Sequence, residues 1–85
     1  MLTYSFMPQK IQVFAVMKDF FLPEFGLEET VTSISELKQA LLNLNPASES
    51  IISSCRFAVN QEFVDESFVF QQHDTISIIP PSSGG

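Results

Sequence analysis

One cysteine, one histidine, no tryptophan, three glycines and four basic residues are all that 85 residues offer of the side chains on which most site chemistry depends. With Cys55 alone, no internal disulfide can form and there is no two-thiol basis for a redox or metal motif, so no metal site is expected. A reducing, cytoplasmic setting fits that usage. His73 is the sole histidine and falls in an expected turn, and nothing in its setting or that of Cys55 brings them together as base and nucleophile. Gly26 stands apart from the two last glycines, which leaves no glycine-rich phosphate loop. The apolar stretch of residues 11–22 is interrupted by Gln12, Lys18 and Asp19, and residues 1–9 carry no basic leader, so neither a membrane span nor a signal peptide is expected.

The basic residues are Lys10, Lys18, Lys38 and Arg56, set against ten acids for a formal net charge of −6. Such a surface repels nucleic acid and anionic membranes. It suits a protein partner with a basic face, and it equally suits plain solubility. The carboxylate pairs Glu28/Glu29 and Asp65/Glu66 are sequence neighbours that point apart, so solvated charge is the expectation there.

What is present is a core. Nine phenylalanines and a 45% hydrophobic content suffice for one compact domain of this length, with no room for a second. Ile11, Val13, Ala15 and Met17 alternate with Gln12, Phe14 and Val16, which predicts an inner strand running to Met17. A break at Pro23 and Gly26 precedes a short strand expected over residues 27–31. Ser33 and Glu36 form a capping-box pattern before Ile34, Leu37, Leu41 and Leu44, a helical stripe that Asn45-Pro46 terminates. Residues 47–54 are consistent with a further helical turn. Residues 56–59 and 62–64 flank Asn60-Gln61 as a tight hairpin, and residues 75–79 form the last strand after a turn at Gln72-His73-Asp74.

That order predicts an α+β fold, a β-grasp domain with a mixed sheet, its first and last strands side by side and one main helix across one face. A ferredoxin-like unit would require a second full helix. The domain is expected over residues 1–79, with residues 1–8 outside the pattern and residues 80–85 as a flexible functional tail. In the last strand Ile76 and Ile78 are directed at the helix, so Ser77 and Ile79 take the opposite face with Phe14 and Val16, an expected docking patch for a partner.

The tail reads Pro80-Pro81-Ser82-Ser83-Gly84-Gly85. The prolines favour an extended neck that carries the last carboxylate about 19 Å beyond Ile79 at full reach, and the glycines give a tip thin enough to thread a narrow pocket. The same letters suit an inert linker. Their position directly behind the last core strand favours a working tail, with the carboxylate as the reacting group.

The last strand and tail, together with the hairpin from Phe57 through Asn60-Gln61 to Val64, resemble those of the small sulfur-carrier subunit of molybdopterin synthase, a ubiquitin-like β-grasp family. The likeness spans nearly everything after Lys10. It implies a chain that is not an enzyme on its own and binds no permanent cofactor. A ubiquitin-activating-enzyme-like adenylyltransferase consumes ATP to adenylate Gly85, and a sulfur donor converts it to a thiocarboxylate. The large catalytic subunit, in a two-plus-two heterotetramer, then passes the sulfur to cyclic pyranopterin monophosphate to form the molybdopterin dithiolene. In that scheme Pro80, Pro81, Ser82, Ser83 and Gly84 thread the partner, and Phe14, Val16 and Ile79 dock against it. Sulfur carriage for thiamine, cysteine or tRNA thiolation, and attachment to proteins as a ubiquitin-like modifier, remain alternatives. One departure from the family pattern is His73, where relatives commonly have Gly before the acidic turn residue, which implies a positive φ and some strain.

Overall fold

The computed structural model describes residues 9–81. Its elements are β1 (Gln9–Val13), β2 (Glu24–Leu27), α1 (Ile34–Leu44), α2 (Glu49–Ile52), β3 (Arg56–Val59), β4 (Glu62–Val64) and β5 (Thr75–Ile79), with single 3-10 turns at Ala15–Asp19 and Pro46–Ser48. The sheet runs β2-β1-β5-β3-β4. β1 and β5 pair in parallel at its centre, Ile11 beside Ile76 and Val13 beside Ile78, and every other pairing is antiparallel.

Burial explains that centre. Ile11, Ile76 and Ile78 are each 0% exposed, and they meet Ile34, Leu37, Ala40 and Leu41 of α1 in one cluster with Val13, Phe57 and Val59. Each such side chain removed from water contributes about 1.5–3 kcal/mol, so this face holds the domain together. Leu44 departs from the expected stripe and is 58% exposed, because it sits one turn beyond the last residue that the sheet covers.

Local signals set the helix ends. The Ser33 hydroxyl accepts from the Glu36 N–H at 3.1 Å, while the Glu36 carboxylate accepts from the Thr32 N–H at 2.8 Å and from its hydroxyl at 3.0 Å, a capping box reaching one residue further back than usual. Those Thr32 hydrogen bonds hold the Glu36 carboxyl below the usual glutamate range. Asn45 closes α1 through its N–H to the Leu41 carbonyl, and its side-chain oxygen accepts from the Ala47 N–H to begin the next turn. Residues 47–54 resolve into the end of that 3-10 turn and α2.

The first two strands differ from expectation. β1 ends at Val13, not Met17, because Ala15 takes φ 54, a left-handed conformation that swings the chain into the 3-10 turn and buries Met17 from a new direction. β2 lies at Glu24–Leu27 rather than residues 27–31, with Gly26 inside the strand instead of breaking it. The hairpin and last strand fall where expected, and Asn60 and Gln61 both take positive φ, 51 and 75, as a primed two-residue turn demands. His73 does not take positive φ, so the strain expected there is absent.

A buried polar network fixes where β5 starts. The Gln9 side-chain oxygen accepts from the Val31 N–H at 3.0 Å while its amide donates to the Val31 and Gln71 carbonyls at 3.1 and 3.3 Å. Asp74, 5% exposed, accepts from the Gln71 N–H at 2.8 Å and from the Asn60 amide at 3.3 Å. Three loops are thereby tied at one end of the sheet, and the opposite end is left to the tail.

Candidate functional site: the root of the tail and the open sheet face

β5 delivers the chain to the tail with its register already decided. Ile79 is half-buried and pairs with Arg56 on one side, while on the other the parallel pairing with β1 ends at Val13 beside Ile78, one residue before Phe14. Pro80 is buried and Pro81 exposed, so the neck leaves the domain between them. Ser82, Ser83, Gly84 and Gly85, like residues 1–8, lie outside the described residues.

The expected docking patch is brought together in part. Phe14 directly follows the Val13–Ile78 pair and is 42% exposed. Val16 is 45% exposed but belongs to the 3-10 turn, not to the strand face whose alternation first suggested it. Ile79 is less exposed than expected, half-buried where it pairs with Arg56 of β3.

Two residues of this face went unnoticed in the sequence. Phe63 is 54% exposed, and the Arg56 guanidinium lies 3.9 Å from its ring centroid, a cation–π contact. Register was the available signal: the Asn60-Gln61 turn places Phe63 opposite Ala58, on the side away from α1. Among the described residues Arg56 makes no ion pair, and its guanidinium rests over the Phe63 ring at the margin of the apolar strip.

The rest of the open face is polar. The Ser77 hydroxyl donates to the Gln12 side-chain oxygen at 3.4 Å, and the Gln12 amide donates to Glu24 at 2.8 Å, with Lys10 3.4 Å from the same carboxylate. The Gln12 hydrogen bond first, and Lys10 second, hold Glu24 below the usual glutamate range. The open face is thus apolar near the tail and hydrogen-bonded away from it.

Among the described residues, the side chains near the root of the tail offer little chemistry of their own. Cys55 precedes Arg56 and therefore lies near Pro80, but its thiol donates to the Ile51 carbonyl at 3.2 Å, and burial pushes its pKa up. Such a thiol is a poor nucleophile at neutral pH. His73 is solvated, its side chain 83% exposed and 3.8 Å from Asp74. Among the described residues no cluster of histidine, cysteine and carboxylates could hold a metal, and no helix is long and apolar enough to cross a membrane.

A mixed five-stranded sheet with a parallel central pair and one main helix across one face defines a ubiquitin-like β-grasp domain. Small archaeal modifier protein 1 of Haloferax volcanii superposes with a TM-score of 0.76 at 18% identity, over 93% of this chain and all of that one. The complex of subunits 1 and 2 of molybdopterin-converting factor from Helicobacter pylori gives a TM-score of 0.66 at 24% identity, over 93% of this chain and 100% of the matched one. At these identities the likeness speaks to fold. The ThiS family profile matches residues 11–85, nearly the whole chain, and the protein belongs to that family of ubiquitin-like sulfur carriers. The molybdopterin synthase sulfur carrier subunit of Chlamydomonas reinhardtii is 36% identical over 52 residues, 59% of this chain. The match spans 63% of that relative's length.

Proposed function

We propose that this chain is the sulfur-donating subunit of a molybdopterin synthase, with Gly85 as the atom-bearing terminus. The observation that carries the reading is continuity: the family match runs through Gly85, and the described structure passes from β5 into a buried Pro80 with no intervening loop. In this scheme the Gly85 carboxylate attacks the α-phosphate of ATP on an activating enzyme, forming an acyl-adenylate and releasing pyrophosphate. A sulfur nucleophile then attacks the acyl carbon and AMP leaves, so a poor electrophile becomes a thiocarboxylate. The large catalytic subunit receives the tail, and the sulfur passes to cyclic pyranopterin monophosphate.

The domain's own contribution is placement. Pro80 and Pro81 give the neck direction, Ser82 to Gly84 thread the pocket, and Ile79 with Phe14 and Phe63 supplies apolar docking area. Arg56 orients that docking, since a carboxylate on the partner would complete its unpaired charge. The chain acts as a consumed and regenerated cosubstrate.

Reconstitution tests the reading. The thiocarboxylated chain, mixed with the large subunit and cyclic pyranopterin monophosphate, is expected to yield the dithiolene product. Thiocarboxylate that persists without product contradicts the assignment to this synthase and leaves sulfur delivery to thiamine, cysteine or tRNA thiolation as the alternative.

A further inference from the structure

A groove along the free edge of β2 lies apart from the tail and has no part in the scheme above. β2 is outermost in the sheet and pairs with β1 alone. The Val13 N–H donates to the Pro23 carbonyl at 3.0 Å, and antiparallel alternation from that bond turns the backbone of Phe25 and Leu27 toward β1. The N–H and C=O groups of Glu24 and Gly26 therefore point off the edge. Beside them is an open cavity of about 590 Å³ lined by Phe25, Gly26, Leu27, Glu28, Glu29 and Leu44.

The lining is built for a strand. Phe25 is held by a stacked Phe21, ring centroids 5.9 Å apart, and faces the same cavity as the exposed Leu44, so two helix-side walls are apolar. Gly26 has no Cβ to keep a second backbone at a distance. Glu29 also lines an adjoining depression with Glu36 and Gln39 of α1, and neither lining contains a lysine or arginine. Short, charged edge strands are a common guard against aggregation, which accounts for the glutamates. It does not account for a bare glycine beside an exposed leucine.

We propose that this groove binds an extended, basic segment of another protein, added as a further strand beside β2. Its apolar side chains meet Phe25 and Leu44, and its lysines or arginines meet Glu28 and Glu29. Charge selects that occupant over a second copy of the chain: pairing this edge with its own copy would bring the Glu28 and Glu29 carboxylates, just beyond β2, toward those of another chain of net charge −6.

Amide-resolved NMR titration of the full chain with a peptide of alternating valine and arginine tests this. Shifts are expected at Gly26, Glu28 and Leu44, and affinity should fall about tenfold for Glu28→Lys/Glu29→Lys and for Leu44→Ser. Those side chains are exposed, so the fold should persist, and each variant's amide dispersion confirms it. A chain lacking Gly84 and Gly85 should bind the peptide unchanged, which separates this site from the sulfur reading. Equal affinity for a valine–glutamate peptide or for an N-methylated backbone overturns the proposal. So do shifts centred on Arg56 and Phe63, or a concentration-dependent dimer that perturbs Gly26 without peptide.

Discussion

The two faces of the sheet use the same strands for different ends. Toward α1, β5 presents Ile76 and Ile78, both 0% exposed, and every neighbour is apolar. Away from α1 it presents Ser77 and Ile79, bordered by Gln12, Ala58 and Arg56, a mixed face whose centre at Ala58 and Ser77 is itself buried while its margins are open. The difference teaches that period-two alternation lets a five-residue strand build the core with one face and leave the other for the proposed docking. A shift of one residue would exchange those roles, so the Asp74 network that sets the start of β5 also sets what the tail's root displays.

Substitutions on opposite faces should therefore separate stability from docking. Ile76→Ala is expected to cost about 2–5 kcal/mol in denaturant unfolding, the range for a buried isoleucine that leaves a cavity. Ile79→Ala, half-buried, should cost under about 1.5 kcal/mol yet weaken binding of the proposed large-subunit partner about tenfold by titration calorimetry. Comparable unfolding losses for the two would erase the distinction between the faces. Asp74→Ala should fall between them in stability, about 1–3 kcal/mol, because it strips acceptors from the Gln71 N–H and the Asn60 amide.

Smaller effects sharpen the account of the ends of the strands. Ala15→Gly should raise stability by about 0.5–1 kcal/mol, since φ 54 is costly for alanine and free for glycine. Acid titration reports on the helix cap. The Glu36 pKa is lowered in the folded chain, so its contribution is complete above the ordinary glutamate value of about 4.3 and is lost as pH falls through the lower folded value. Glu36→Gln should flatten that part of the pH profile, and an unchanged profile would remove the carboxylate from the cap.

The sequence revealed whatever local chemistry decided. Ser33 and Glu36, Asn60-Gln61 and the alternation of residues 75–79 located α1, the hairpin and β5, and the two most apolar strands, the first and the last, fitted a central pair. Apolar alternation past Val13 misled, because alternation continues whether or not the backbone stays extended, and Ala15 gives no sign of its left-handed φ. Gly26 misled in the opposite sense: at an edge a glycine is tolerated within a strand, and the break it suggested lies in the Ala15–Asp19 turn. Parity placed Ile79 on the face away from α1 but gave neither its half-burial nor the end of β1 before Phe14, and the Arg56–Phe63 contact depends on a cross-strand register that emerges only once the hairpin is closed.

The central claim concerns one terminal group, and intact-mass spectrometry addresses it directly. After incubation with an activating enzyme, ATP and a sulfur donor, the chain should gain about 16 Da, one sulfur in place of one oxygen at an activated carboxyl, and a chain lacking Gly85 should gain nothing. An unchanged mass for the full chain, or the same gain without Gly85, would contradict the account.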